Sequence, residues 1–371
     1  MRRIALVVLA LALSGLACAP EAQPEATRIP DAQVFEIGRT AYGFFPSPPE
    51  PSFLAVLNHF RDLGNHADFI LIQPAIPWEA MLEPGDDESQ AQEDIRNQVV
   101  LASQNGLGAI FVVDPLNGLN RREFMGLPQD WEANFANPDI RTAFTEFALW
   151  IAREFRPRYL GLASEINTYA DAHPDDFPHY LSLYRDVYAA AKAASPETQV
   201  FVTFQWEDLN NVLPEIAEGR QAYEVNWNQV EAFEPELDVW VISSYPFIAF
   251  PNGAAIPDDY YTPLLDRTNK PLALGEGGYT SEPIGPFPGA PSDQVSYLEA
   301  IHAQLGERLA FWTYLLLSDF DPEAYADAMR DQGRPEADIN TLGMFQAVGL
   351  READGAAKPA LASWDGFRNG P

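Results

Sequence analysis

The stretch Pro271-Leu272-Ala273-Leu274-Gly275-Glu276-Gly277-Gly278-Tyr279 runs from an apolar segment straight into a carboxylate set among glycines. Pro271 starts it, three small or branched apolar residues follow, and no charge interrupts it before Glu276. Such a run is short enough for a strand buried on both faces, as in a parallel sheet. Seven more runs of this kind lie along the chain: Phe35–Phe45, Phe69–Gln73, Ala109–Val113, Tyr159–Ala163, Val200–Phe204, Val239–Ser243 and Ala310–Leu316. Leu272–Gly275 completes a set of eight.

Helical patterns fill the gaps. Ile140, Phe144, Phe147, Ile151 and Phe155 recur at helical spacing behind Asn137 as N-cap and Pro138 in the first turn. Tyr180, Tyr184, Val187 and Ala191 do the same ahead of Ser195-Pro196. Val295, Leu298, Ile301 and Leu305 follow Ser292, read as the N-cap. Strands that alternate with helices pair in parallel, because each crossover needs a helix. Eight such units without an internal linker predict an α/β fold, a single-domain (β/α)8 barrel over residues 34–371. A doubly wound sheet is the alternative, but no Gly-rich phosphate turn follows the first strand, where Tyr42-Gly43-Phe44-Phe45-Pro46 is bulky.

In a barrel the chemistry collects at the C-terminal strand ends. Those ends carry Asp114 after strand 3, Ser164-Glu165-Ile166-Asn167 after strand 4 and Gln205-Trp206-Glu207 after strand 5. Ser243-Ser244-Tyr245-Pro246 follows strand 6, Glu276 strand 7, and Trp312 and Asp319 belong to strand 8 and beyond. Glu165 and Glu276 stand almost opposite one another across the mouth. Alternation along the strands puts Glu276 with Leu272 and Leu274, and Glu165 with Gly161 and Ala163, so both are expected to face the axis. Burial there raises a carboxyl pKa toward the range a general acid needs. Asp114, Glu207 and Asp319 read as solvated rim or loop-capping groups.

This layout resembles the large clan of (β/α)8 glycoside hydrolases with an acid/base Glu on strand 4 and a nucleophile Glu on strand 7, cellulase-like and endo-galactanase-like members among them. The strand-7 stretch is similar to that clan's Pro-(apolar)3-Glu-x-Gly, with one extra Gly before the Glu. The resemblance implies a retaining glycosidase without a cofactor, with Glu276 as nucleophile and Glu165 as acid/base, acting on a polysaccharide or oligosaccharide. It also implies that Tyr245 hydrogen-bonds the nucleophile and that Trp312 stacks on the sugar. Ser164 stands where the clan has an Asn that holds the sugar 2-hydroxyl, which makes Asn167 the candidate substitute. No Arg ends strand 2, so Arg39 on strand 1 is the candidate positive charge beside the nucleophile. Trp206, with Trp78, Trp131 and Trp227, falls in or beside strand-to-helix loops and suits a glycan cleft. A glycan-binding barrel that is no longer catalytic is the alternative.

Composition narrows the rest. The 371 residues hold 54 Asp+Glu against 23 Lys+Arg, a net charge of −31, which disfavours nucleic acid and a polybasic grip on lipid. One cysteine excludes an internal disulfide and a thiolate zinc site. None of the five histidines sits at a strand end or in an HExxH spacing, so no metal site is expected. There is no Gly-x-Ser-x-Gly elbow.

At the N-terminus, Met1-Arg2-Arg3 and the apolar Ile4–Leu13 form a signal peptide over residues 1–17. Ser14-Gly15-Leu16-Ala17-Cys18 resembles a bacterial lipobox, which implies lipidation of Cys18. Residues 18–33, rich in Ala, Pro, Glu and Gln, read as a flexible tether. The expectation is an extracytoplasmic protein: a cell-envelope lipoprotein, in the outer membrane of a diderm, that touches membrane only through its N-terminal lipid, or else a secreted protein.

Overall fold

The computed structural model describes residues 38–82, 88–213 and 220–370. The leader, the lipidation site Cys18 and the tether lie outside the described residues. Nine parallel strands form one sheet: β1 (Ala41–Phe44), β2 (Phe69–Ile72), β3 (Gly108–Val112), β6 (Tyr159–Gly161), β7 (Gln199–Phe201), β8 (Thr203–Gln205), β9 (Trp240–Ser244), β10 (Leu272–Gly277) and β11 (Leu309–Tyr314). Between β3 and β6 lies a separate antiparallel hairpin, β4 (Leu116–Asn117) and β5 (Asn120–Phe124).

The order β7-β6-β3-β2-β1-β11-β10-β9-β8 begins and ends on neighbouring segments of the chain. β7 pairs with β6, and β8 pairs with β9; only Val202 separates them. The fifth expected strand thus spans both ends of the sheet, and the (β/α)8 barrel closes through it.

The helices follow the apolar periods. Pro138–Phe155 starts at Asn137, whose side chain accepts from the Asp139 amide at 3.0 Å. The helix over residues 291–305 departs from expectation: it begins at Pro291 after Ala290, so Ser292 lies inside the first turn and does not cap it. Proline's fixed φ suits the first helical position, where no partner for its missing N–H is needed.

Register decides which residues fill the barrel. Ala273 pairs with Phe311 and Val241, and Thr203 pairs with Val241, so these four share the inner face. Phe311 packs there against Phe69, Tyr159 and Phe201, with ring centroids 6.0, 4.8 and 5.7 Å away. The aromatic layer plugs the barrel floor and leaves the polar residues above it. Leu272 and Leu274 pair with Trp240 and Trp312 on the outer face.

Here the simple alternation fails. The β9–β10 register shifts between Leu274 and Glu276, with Glu276 opposite Ser243. Gly275 is the extra residue of a β-bulge, and the bulge turns Glu276 to the inner face instead of the face of Leu272 and Leu274. No side chain fits at Gly275: a Cβ would come within 2.7 Å of Thr203 and 3.0 Å of Val241.

Candidate active site

Glu165 ends the loop after β6 with φ 49° and ψ 43°, a left-handed conformation that costs a residue with a Cβ. Thr203 holds it: its Oγ1 accepts from the Glu165 amide at 2.8 Å and meets the Ser164 hydroxyl at 3.0 Å. The Glu165 carboxylate accepts from the Ser243 hydroxyl and, at 3.1 Å, from Nε of Arg121.

Arg121 is the hub, and sequence reasoning missed it. It sits on β5 of the small hairpin and is buried. Nη2 lies 3.4 Å from Oε1 of Glu276, and Nη1 binds Oδ2 of Asp114. Three carboxyl groups therefore share one guanidinium. Asp114 also takes the Gln73 amide at 2.6 Å, the Leu116 amide at 3.1 Å and the Ser164 amide at 3.4 Å. A signal for the hairpin was present in Asn117-Gly118, a turn dipeptide between extended segments. The Leu119 amide indeed donates to Oδ1 of Asn117 at 3.1 Å.

The electrostatics follow from burial and charge count. Burial raises the pKa of Glu276, and the neighbouring Glu165 raises it further, while Arg121 pulls it back. Burial likewise lifts Asp114 against the pull of Arg121. The three carboxylates hold Arg121 firmly protonated against its own burial. Glu165 has two close donors and Glu276 one long one, in keeping with the upward shift at Glu276.

Tyr245 lines the same cavity, and its hydroxyl stays protonated because burial and both glutamates disfavour the phenolate. The cavity, about 480 Å³, also takes in Gln73, Gln205, Glu165 and Glu276. That volume suits a small ligand or a short saccharide.

Four expected contacts fall elsewhere. Arg39 lies below the barrel floor, where it forks onto Asp68 at 3.0 and 3.1 Å, far from Glu276. Its place near the start of β1 puts it at the end opposite the mouth. Asn167 spends both ends of its amide on the Gln205 backbone, accepting at 2.8 Å and donating at 3.2 Å, and is fully buried. Trp206 is fully buried too, its indole donating to the Tyr260 carbonyl at 3.2 Å. Trp312 faces outward and packs against Tyr42, Trp364 and Phe367, with centroids 5.9, 5.5 and 6.4 Å away. It is an outer-face residue by register, with no route to a sugar.

The acids read as rim groups are not solvated. Asp114 is a ligand of the hub, and Asp319 pairs with buried Lys358. Glu207 is fully buried with no cation beside it among the described residues: it accepts from Ser244 at 2.6 Å, Gln205 at 2.9 Å and the Tyr245 amide at 3.1 Å. Burial pushes its carboxyl up to about 7.

No protein-family model matches this chain, and no curated protein matches it significantly. Solved structures do share its fold. An exo-β-1,4-mannosidase of Opitutaceae bacterium strain TAV5 superposes with a TM-score of 0.63 at 13% identity, over 89% of this chain and 59% of its own. A GH5_18 protein of Streptomyces cattleya, in complex with Manβ1-4GlcNAc, gives 0.61 at 16% identity over 90% and 82%. A family 39 glycoside hydrolase of Bacteroides cellulosilyticus WH2 gives 0.54 at 15% over 91% and 65%. This chain thus spans less than two thirds of the first and the last. At these identities the likeness establishes the (β/α)8 barrel.

Proposed function

We propose that the chain is a retaining glycoside hydrolase that cleaves the O-glycosidic bond of a saccharide. The observation that carries this is the meeting of Glu165 and Glu276 on the Nε and Nη2 sides of one buried guanidinium, facing a cavity. Double displacement requires two facing carboxyl groups, one ionised as nucleophile and one protonated as acid. The many glycosidases among the solved barrels of this shape support the reading.

In the reaction, a proton rests on Glu165 as the glycosidic oxygen arrives beside it, and Glu276 is ionised. Ionised Glu276 attacks the anomeric carbon as the bond to the leaving oxygen breaks, and Glu165 delivers the proton to that oxygen. Glu165 then takes a proton from water, whose oxygen displaces Glu276 and restores the free sugar. Arg121 stays charged throughout and offsets the negative charge that moves between the two glutamates. The extracytoplasmic, Cys18-anchored location belongs to the same proposal; it rests on the leader sequence.

The test is azide rescue on an aryl glycoside. Glu276→Gly is expected to lose turnover and regain it with azide, giving a glycosyl azide of inverted configuration. Glu165→Ala is expected to give one of retained configuration. Reversed outcomes exchange the two roles. A wild type that binds saccharide but releases no new reducing ends makes the protein a binder.

A further inference from the structure

The cavity has two unlike walls. One carries Arg121, Glu165, Gln205 and Glu276. The other is mostly apolar: Leu119, Ile248, Phe287, Met344 and Phe345 come from four separate segments of chain, each only partly buried, with Thr341 a polar member among them. This second wall starts at the reaction centre. Phe345 lies 5.3 Å from the Tyr245 ring, and Phe247 joins Phe345 and Phe287 at 6.4 and 5.9 Å. None of the eight tryptophans lines the cavity. A pyranose can lay a C–H face on a phenyl ring, but the hydroxyls at its rim find few polar partners along aliphatic Ile248 and Met344. Aliphatic and phenyl side chains reward an apolar group instead.

We propose that the wall of Ile248, Phe287, Met344 and Phe345 binds an apolar aglycone, so that the substrate is a glycoside of an alkyl or aryl alcohol in preference to an internal bond of a polysaccharide. The inference rests on the glycosidase reading and narrows its leaving group. Cleavage then transfers the Glu165 proton to the alcohol oxygen, and the apolar alcohol leaves along this wall.

The test separates binding from turnover. Methyl, butyl and octyl β-D-glucopyranosides and β-D-mannopyranosides are titrated calorimetrically, below their micellar concentrations, into the Glu276→Gln protein, with 4-nitrophenol as a sugar-free probe. Affinity is expected to rise about fourfold for each methylene buried, and 4-nitrophenol to bind alone. Phe345→Ser and, separately, the milder Met344→Gln are expected to flatten the gradient, lowering the octyl-to-methyl ratio about tenfold or more. A flat alkyl series, or affinity that grows with added sugar units instead, overturns the aglycone site even where the wild type hydrolyses glycosides. A steep series in a protein that hydrolyses none sustains the site and defeats the glycosidase reading. Absence of binding by every probe overturns the site.

Discussion

Nε of Arg121 lies 3.1 Å from Oε2 of Glu165, and the same guanidinium reaches Glu276 at 3.4 Å. The three residues come from β5, the loop after β6 and β10. One charge thus compensates two candidate catalytic groups and Asp114 together. Removing it leaves several buried carboxyls without a counter-ion. Arg121→Met is expected to destabilise the fold by about 3–5 kcal/mol near pH 8. The loss should shrink in acid, as the carboxyls protonate. Arg121→Lys keeps the charge but not the three-way fork, and kcat should fall about a hundredfold or more. Urea melts at two pH values and steady-state kinetics check both.

Glu165 holds a left-handed backbone and crowds a second carboxyl. Glycine removes the Cβ strain and the like charge at once. Glu165→Gly is therefore expected to melt at a temperature equal to or above the wild type, with about 1 kcal/mol from the backbone, while turnover disappears. A lower melting temperature would mean that the Arg121 and Ser243 contacts outweigh the strain.

Glu207 gives a pH signature. Its folded pKa, about 7, stands above the ordinary 4.5, so the native state binds the proton more tightly than the unfolded chain. Stability from this group is full below pH 4.5, declines between there and about 7, and stays low above. The swing is about 3 kcal/mol. Glu207→Gln, whose amide can donate to the Ser244 and Tyr260 hydroxyls, should remove it. Denaturant unfolding at pH 5 and pH 8 compares the two proteins: the variant gains at pH 8 and gains nothing at pH 5.

Asn167 and Trp312 are expected to affect stability alone. Asn167→Ala orphans the buried amide and carbonyl of Gln205, at about 2–4 kcal/mol. Trp312→Phe loses volume but no hydrogen bond, since the indole N–H has no partner among the described residues, and should cost under about 2 kcal/mol. Thermal shifts should appear in both, with KM unchanged. A raised KM in either would place it at the substrate.

The barrel was legible because its signal is local. Eight apolar runs, spaced by amphipathic helices, permit little but parallel pairing, and the two glutamates sit at strand ends whatever the register. Arg39, Asn167, Trp206 and Trp312 were misplaced for a common reason. Residue type near a strand end does not say which face it takes or which backbone groups will claim it. Arg121 escaped notice because it rides on a hairpin inserted after β3, outside the repeating unit, though Asn117-Gly118 marked the turn.

Sequence alone determined the eightfold alternation, the acidic surface charge and the presence of Glu165 and Glu276 at the mouth, because hydrophobic period and composition act through neighbours in the chain. Tertiary structure alone decided that both meet on Arg121, that Gly275 bulges so Glu276 turns inward, and that an apolar wall faces them. Those outcomes depend on strand register and on contacts between residues as far apart as Arg121 and Glu276. Packing of the whole barrel sets them, and no local pattern encodes them.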